Sequence, residues 1–344
     1  MRAQRMRAAV AATVAIAVAG SAVGCGSSED GGSTAGSATT AERPRVAFVN
    51  ASMANAVLQA AYQEMQRVAE AEGVELTAFD AGFDPAKQFA QLQDVVASGQ
   101  YDGVIVAPLD GNGLVPGVEA AIDAGLKVGS LNQAIGSRLD TTEPQVDGMS
   151  FAVIHPPVTS GRDMGRLTVE ACRDVDPCEV GFLYGSKALP LGQALRQGWD
   201  GAVEDSPNIE VVAEGDGNFD AQGGLKVVQD FLQAHPGIDV IVGPDPSVVG
   251  AQPALSDAGR LGKVKLVGGG GSAAAIRQIA AGENGWVGTA VVLPRSEGRA
   301  AMEAMIAAVR DGKASGGIDP SGEIPGGAML TRENAARFRG EFPS

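Results

Sequence analysis

The sequence predicts an α/β protein of two doubly wound parallel-sheet domains with a ligand cleft between them. Two observations carry this. From Arg45 onward, short β-branched runs alternate with helix-length segments, and the runs are apolar on both alternate faces. Strands of that kind belong to a parallel sheet covered by helices on both sides. The second half also rewrites the first: Phe83-Asp84, Gln93-Asp94 and Asp102-Gly103-Val104-Ile105 return as Phe219-Asp220, Gln229-Asp230 and Asp239-Val240-Ile241-Val242. A single copy at a period near 136 residues is too long for a solenoid unit and long enough for a domain. Open sheets take ligands beyond the carboxyl ends of their strands, so two such domains enclose a site between them.

Taken in order, Val46-Ala47-Phe48-Val49 predicts a strand, 57–71 a helix, 74–79 a strand, 85–97 a helix and Val104-Ile105-Val106 a strand. Asp84 stands before Pro85, and Asp220 before another helix. Both read as N-caps that accept backbone N–H bonds. Phe219 has no staple partner four helical positions on, because Gly224 offers no side chain, which leaves it free to stack on a ligand. Residues 159–171 predict a helix and 179–184 a strand. Trp199 and Trp286 fall on a helix and a strand as core residues. The run Gly268-Gly269-Gly270-Gly271-Ser272 lacks the Lys of a P-loop and the spacing of a dinucleotide fingerprint; a tight turn at positive φ is its simpler reading. Asp110 and Asp245 follow strands at the cleft edge, placed either to bind hydroxyls or to cap the next helix. A short strand and helix over 332–338 close the chain, within a segment 329–344 that has no evident role.

The N-terminus carries a different message. Arg2, Arg5 and Arg7 precede a small-apolar run, and Ala22-Val23-Gly24-Cys25 follows it, the order of a bacterial lipoprotein signal with Cys25 as the lipidated residue. An ordinary secretory signal is the alternative reading. Residues 1–24 are thus assigned to the signal and 25–44, rich in Gly, Ser, Thr and Ala, to a disordered tether. The 344-residue chain has 26 basic and 41 acidic residues; without the three signal arginines the balance is −18. Such a charge opposes binding to nucleic acid or to an anionic membrane. With Cys25 lipidated, Cys172 and Cys178 remain in an oxidising compartment and predict a disulfide. Zinc fails on ligand count, because His155 and His235 are the only histidines and neither has suitable spacing. No nucleophile with a base, paired-acid constellation, metal cluster or cofactor fingerprint is visible, so the chain reads as a non-enzyme with no metal and no cofactor.

From Arg45 to about Ile318 the chain resembles the periplasmic binding protein type 1 family, in particular the ribose-like sugar-binding lipoproteins of ABC importers. The carriers are the opening strand with Asn55 just after it, Asp84-Pro85-Ala86-Lys87, Ala107-Pro108-Leu109-Asp110, Asn218-Phe219-Asp220, Ala234-His235-Pro236, and Val267-Gly268 with its Gly-rich turn. The resemblance implies a three-segment hinge, placed near His155-Pro156-Pro157, Leu293-Pro294 and Asp319-Pro320. It therefore implies one lobe from 45–155 plus 295–319 and another from 156–294 plus 320–344. It further implies a monomer that binds a small solute, a sugar or polyol, and delivers it to an ABC permease; a receptor serving a membrane sensor kinase is the alternative. By this resemblance Asn55, Asn132, Gln133 and Phe219 line the pocket, with Asp110 and Asp245 as further ligand-binding candidates. Val57 and Leu58 replace stacking aromatics, and Leu195, Pro244, Gly270 and Val292 replace polar or charged groups, with Gln193 or Arg196 near enough in sequence to compensate. The implied ligand is neutral and less hydroxylated than a pentose, or larger. DNA-binding regulators of this fold carry a helix-turn-helix where this chain carries a signal.

Overall fold

The structure, a computed structural model, describes residues 43–324 and 327–343. The signal 1–24, Cys25 and nearly all of the tether lie outside the described residues. The chain opens with β1 (Arg45–Asn50), α1 (Ala56–Ala71), β2 (Glu75–Asp80), α2 (Pro85–Ser98), β3 (Gly103–Ala107), α3 (Val115–Asp123), β4 (Lys127–Leu131) and β5 (Phe151–Val153). It continues with α4 (Pro157–Ala171), β6 (Cys178–Tyr184), α5 (Pro190–Val203), β7 (Ile209–Asp216), α6 (Ala221–Ala234), β8 (Val240–Pro244), α7 (Asp245–Asp257), β9 (Lys265–Gly270), α8 (Ala273–Ala281) and β10 (Trp286–Val291). After α9 (Pro294–Asp311) come β11 (Gly316–Ile318), β12 (Met329–Thr331) and a 3₁₀ turn over Ala335–Arg337.

Two six-stranded sheets result, ordered β11-β5-β4-β3-β1-β2 and β12-β10-β9-β8-β6-β7. The two orders are the same pattern, so the internal repeat seen in the sequence is a repeat of topology. Every pair in the first sheet is parallel. The second departs from the all-parallel expectation at one edge, where β12 runs antiparallel to β10. An edge strand bonds to one neighbour only, so its direction is set by how the chain enters.

Alternation along the strands explains the core. In β1, Val46 and Phe48 pack on one face while Ala47 and Val49 pack on the other. β3 repeats this with Ile105 against Val104 and Val106. In the second sheet Ile241 faces one layer, Val240 and Val242 the other. Trp199 is buried in that second layer, its indole N–H donating to Thr168 Oγ1 at 3.0 Å.

The chain passes between the sheets three times: from β5 to α4, from β10 to α9, and from β11 to β12. Helix α9 follows a strand of the second sheet yet packs against α1 and the first sheet. Gly298 permits the close approach to α1, since a Cβ there would sit 2.3 Å from the Ala61 carbonyl oxygen.

Cys172, at the end of α4, and Cys178, opening β6, form a disulfide with 5.7 Å between their Cα atoms. The loop it closes is short, so chain-entropy arguments assign it about 2 kcal/mol. Replacing both cysteines with alanine is expected to lower stability by about that amount in urea unfolding without altering the circular dichroism spectrum. Two free thiols in protein from an oxidising compartment would contradict the bond.

Candidate functional site

A parallel strand hands its chain to the next helix at its carboxyl end, and here the turns that follow the strands of both sheets line one cleft. It holds about 1180 Å³ of unfilled space, open mouth included. The first lobe contributes Asn55, Phe83, Leu109, Asn132 and Gln133; the second contributes Leu195, Phe219, Pro244, Gly270 and Val292. His155 lines it from the first crossover.

Each of these positions has a local cause. Asn55 caps α1: its Oδ1 accepts from the amides of Val57 and Leu58 at 3.0 and 3.1 Å, which leaves the Nδ2 hydrogens for the cleft. Asn132 sits at φ 68°, a left-handed conformation that asparagine tolerates better than most residues, and Gln133 follows it. Phe83 and Phe219, the related positions of the internal repeat, both adopt positive φ, 63° and 54°. A bulky residue rarely does so without a constraint. Each precedes an aspartate that caps a helix: Asp84 accepts from Ala86 and Lys87, Asp220 from Gly223. The Phe219 ring lies on Gly185, where a Cβ would come within 1.9 Å of the ring. Phe83 is 41% exposed, the one large hydrophobic residue so exposed among the described residues.

Two of the expected ligand residues stand elsewhere. Asp110 does not line the cleft; its Oδ1 accepts from the amides of Asn112 and Gly113, both at 3.1 Å, and pins a turn. Asp245 is fully buried at the start of α7, accepting from Thr289 Oγ1 at 2.8 Å and from the Ser272 amide at 2.6 Å. The carboxylate of Asp245 therefore occupies the Gly-rich turn from within. Gly270 and Gly271 there have φ 139° and 74°, the positive-φ turn expected from sequence. Gln193 and Arg196 do not supply the missing polar groups. Gln193 Nε2 donates to the Lys187 carbonyl, and Arg196 pairs with Asp200 and Glu214. Among the described residues no Asp, Glu, Lys or Arg lines the cleft.

Behind the floor, each crossover contributes one titratable group to a cluster. His155 Nδ1 donates to Asp319, 3.0 Å from both carboxylate oxygens. Glu297, in the first turn of α9, is 1% exposed, and neither of its oxygens has a partner of good hydrogen-bond geometry among the described residues, Asn132 offering only a weak bond. Burial pushes its carboxyl up to about 7; His155 opposes the rise while Asp319 and Glu341 add to it. Burial likewise pushes Asp245 up to about 6.

The C-terminal segment that has no evident role in the sequence has one here. Glu341 accepts from the amides of Arg295 and Ser296 and from Ser296 Oγ at the start of α9. Phe342 reaches the cleft. Phe83, Met164, Leu191 and Phe342 were not identified as cleft residues from sequence. The Phe83-Asp84/Phe219-Asp220 repeat carried the signal for Phe83; nothing local marked the others.

With this geometry established, comparison places the chain. A family profile described as "Periplasmic binding protein domain" matches residues 46–314. The chain belongs to that family. Among its relatives, the D-ribose/D-allose-binding protein of Pseudomonas aeruginosa is 29% identical over 241 residues, 67% of this chain and 72% of the relative. The xylitol-binding protein of Mycolicibacterium smegmatis is 26% identical over 247 residues, 70% and 66% of the two chains. A solved ABC transporter solute binding protein from Mycobacterium smegmatis with bound glycerol superposes with TM-score 0.74 at 25% identity, covering 88% of this chain and 99% of that one. Among the described residues no helix is long and apolar enough to cross a membrane, and no cluster of His, Cys, Asp and Glu is arranged to hold a metal.

Two outcomes are expected from this geometry. Phe83→Gly relieves an unfavourable φ at an exposed ring, so thermal stability holds or rises; Gly185→Ala displaces the Phe219 ring from its seat and lowers stability. Thermal unfolding of the three proteins, parent and two variants, reads both effects. The second concerns pH. The folded protein keeps the Glu297 and Asp245 protons up to about 7 and about 6, whereas unfolded carboxyls release theirs near 4.5 and 3.8. The stability from these groups is full below about pH 4 and falls as pH rises through about 7. Unfolding measured at pH 5 and pH 8 should show Glu297→Gln losing less stability over that interval than the parent; equal losses would contradict the assignment.

Proposed function

We propose that this chain is an extracytoplasmic, lipid-anchored solute-binding protein of an ABC importer, closing its two lobes on a small, neutral, sugar-like molecule and performing no chemistry on it. The observation that carries the reading is an uncharged cleft between two lobes of like topology, joined by three crossovers. Relatives that bind ribose, allose or xylitol support a sugar or polyol derivative as the solute class. The lipoprotein signal ending before Cys25 supports the location and the anchor. In this mechanism, open and closed forms exchange, and the solute favours the closed form through contacts that exist only when both lobes meet it. Asn55, Asn132, Gln133 and Phe219 are the side chains assigned to those contacts.

Thermal unfolding of the protein against pentoses, hexoses, inositols, polyols, nucleosides and amino acids tests the assignment. A solute at 100 times its dissociation constant adds about 2.7 kcal/mol, a shift of several degrees. Small-angle scattering with the best solute should then show a smaller radius of gyration. An unchanged radius at saturation would count against closure.

A further inference from the structure

Building on the receptor reading, we infer that the solute is amphiphilic: a neutral polyol derivative whose hydroxyl or carbonyl groups sit on one edge, the rest of the molecule being deoxygenated, alkyl or aryl. The two walls of the cleft differ in the hydrogen-bonding side chains they offer. The first lobe supplies Asn55, Asn132 and Gln133 among apolar neighbours such as Val57, Leu58 and Leu109, with His155 at the crossover. The facing wall is hydrocarbon, built from Met164, Leu189, Leu191, Leu195, Val292 and Phe342, with Ser160 as its one polar side chain.

Polar groups close to that second wall are already engaged. Arg196 is held by Asp200 and Glu214, Gln193 by the Lys187 carbonyl, and Asp245 by Thr289 and Ser272. Even the Gly270 carbonyl at the wall's edge accepts from the Val292 amide at 3.1 Å. A ligand hydroxyl pressed there on closure would lose water and find few partners, the Ser160 hydroxyl and helix-start amides alone, which penalises the closed form. A hydrocarbon edge would instead remove apolar surface from water on both sides. Closure requires the solute to satisfy both walls, so the hydrocarbon wall selects against hydroxyls on the edge that meets it. Phe83 and Phe219, one from each lobe, extend the apolar lining to the mouth.

Matched compounds test this by calorimetry on the intact protein. Cyclohexane-1,2,3-triol and myo-inositol share a six-carbon ring but differ in whether hydroxyls occupy one edge or the whole rim; hexane-1,2-diol and xylitol form an open-chain pair. The edge-hydroxylated member of each pair should bind at least tenfold more tightly, and a Leu195→Asn/Val292→Asn variant should reduce or reverse the preference. If that variant does not fold by circular dichroism, the compound pairs on the parent protein decide alone. Equal or tighter binding of myo-inositol and xylitol, with compaction in scattering, would overturn the amphiphile while leaving the receptor intact. Binding of neither class, with no compaction, would overturn both.

Discussion

A parallel strand can be re-entered only from the end where it began, so every turn that follows a strand emerges at the same edge of its sheet. The rest of the molecule depends on this constraint. With two sheets of the same strand order joined by three crossovers, both sets of turns border one gap. Asn55 after β1, Phe83 after β2, Asn132 after β4, Phe219 after β7 and Val292 after β10 meet there although up to 237 residues separate them. Burial of both faces of each sheet holds the strands in register, and the register holds the turns.

The same turns open helices, and the unpaired amides at helix starts compete with any ligand for polar side chains. That competition explains the low polarity of the cleft. Asp84, Asp220 and Ser272 each accept from helix-start amides, Asp110 pins a turn, and Asp245 bridges Thr289 to the Gly-rich turn. Asn55 escapes in part because an amide side chain can cap with its oxygen and still present hydrogens. What faces the gap is largely what the backbone did not need.

The two lobes are joined at the crossovers, and that region carries titratable groups. His155, Glu297 and Asp319 come from three different crossovers, and the C-terminal segment brings Glu341 to the start of α9 beside them. The C-terminal segment thus ties the second lobe's edge strand, the cleft through Phe342, and the helix that crosses back to the first lobe. Burying an unpaired carboxyl at such a junction is unfavourable when it is charged, which makes the junction sensitive to protonation.

Much of the fold was legible in the sequence because its information is local and periodic: β-branched runs, helix-length spacers, capping aspartates before Pro85 and at 220, and a whole-domain repeat. The cysteine pair at 172 and 178 was legible by elimination, as the two cysteines left once Cys25 is assigned to lipid. The cleft was legible only in part. Asn55, Asn132, Gln133 and Phe219 line it, whereas Asp110 and Asp245 do not. A carboxylate after a strand reads the same in sequence whether it faces a ligand or a backbone amide. The sequence by itself determined the two-sheet architecture and its repeat. Tertiary structure alone decided which polar groups remain available, that Leu189, Leu195, Val292 and Phe342 line the cleft together, and that three crossovers share one buried cluster. Those depend on contacts between residues far apart in the chain, and no local pattern encodes them.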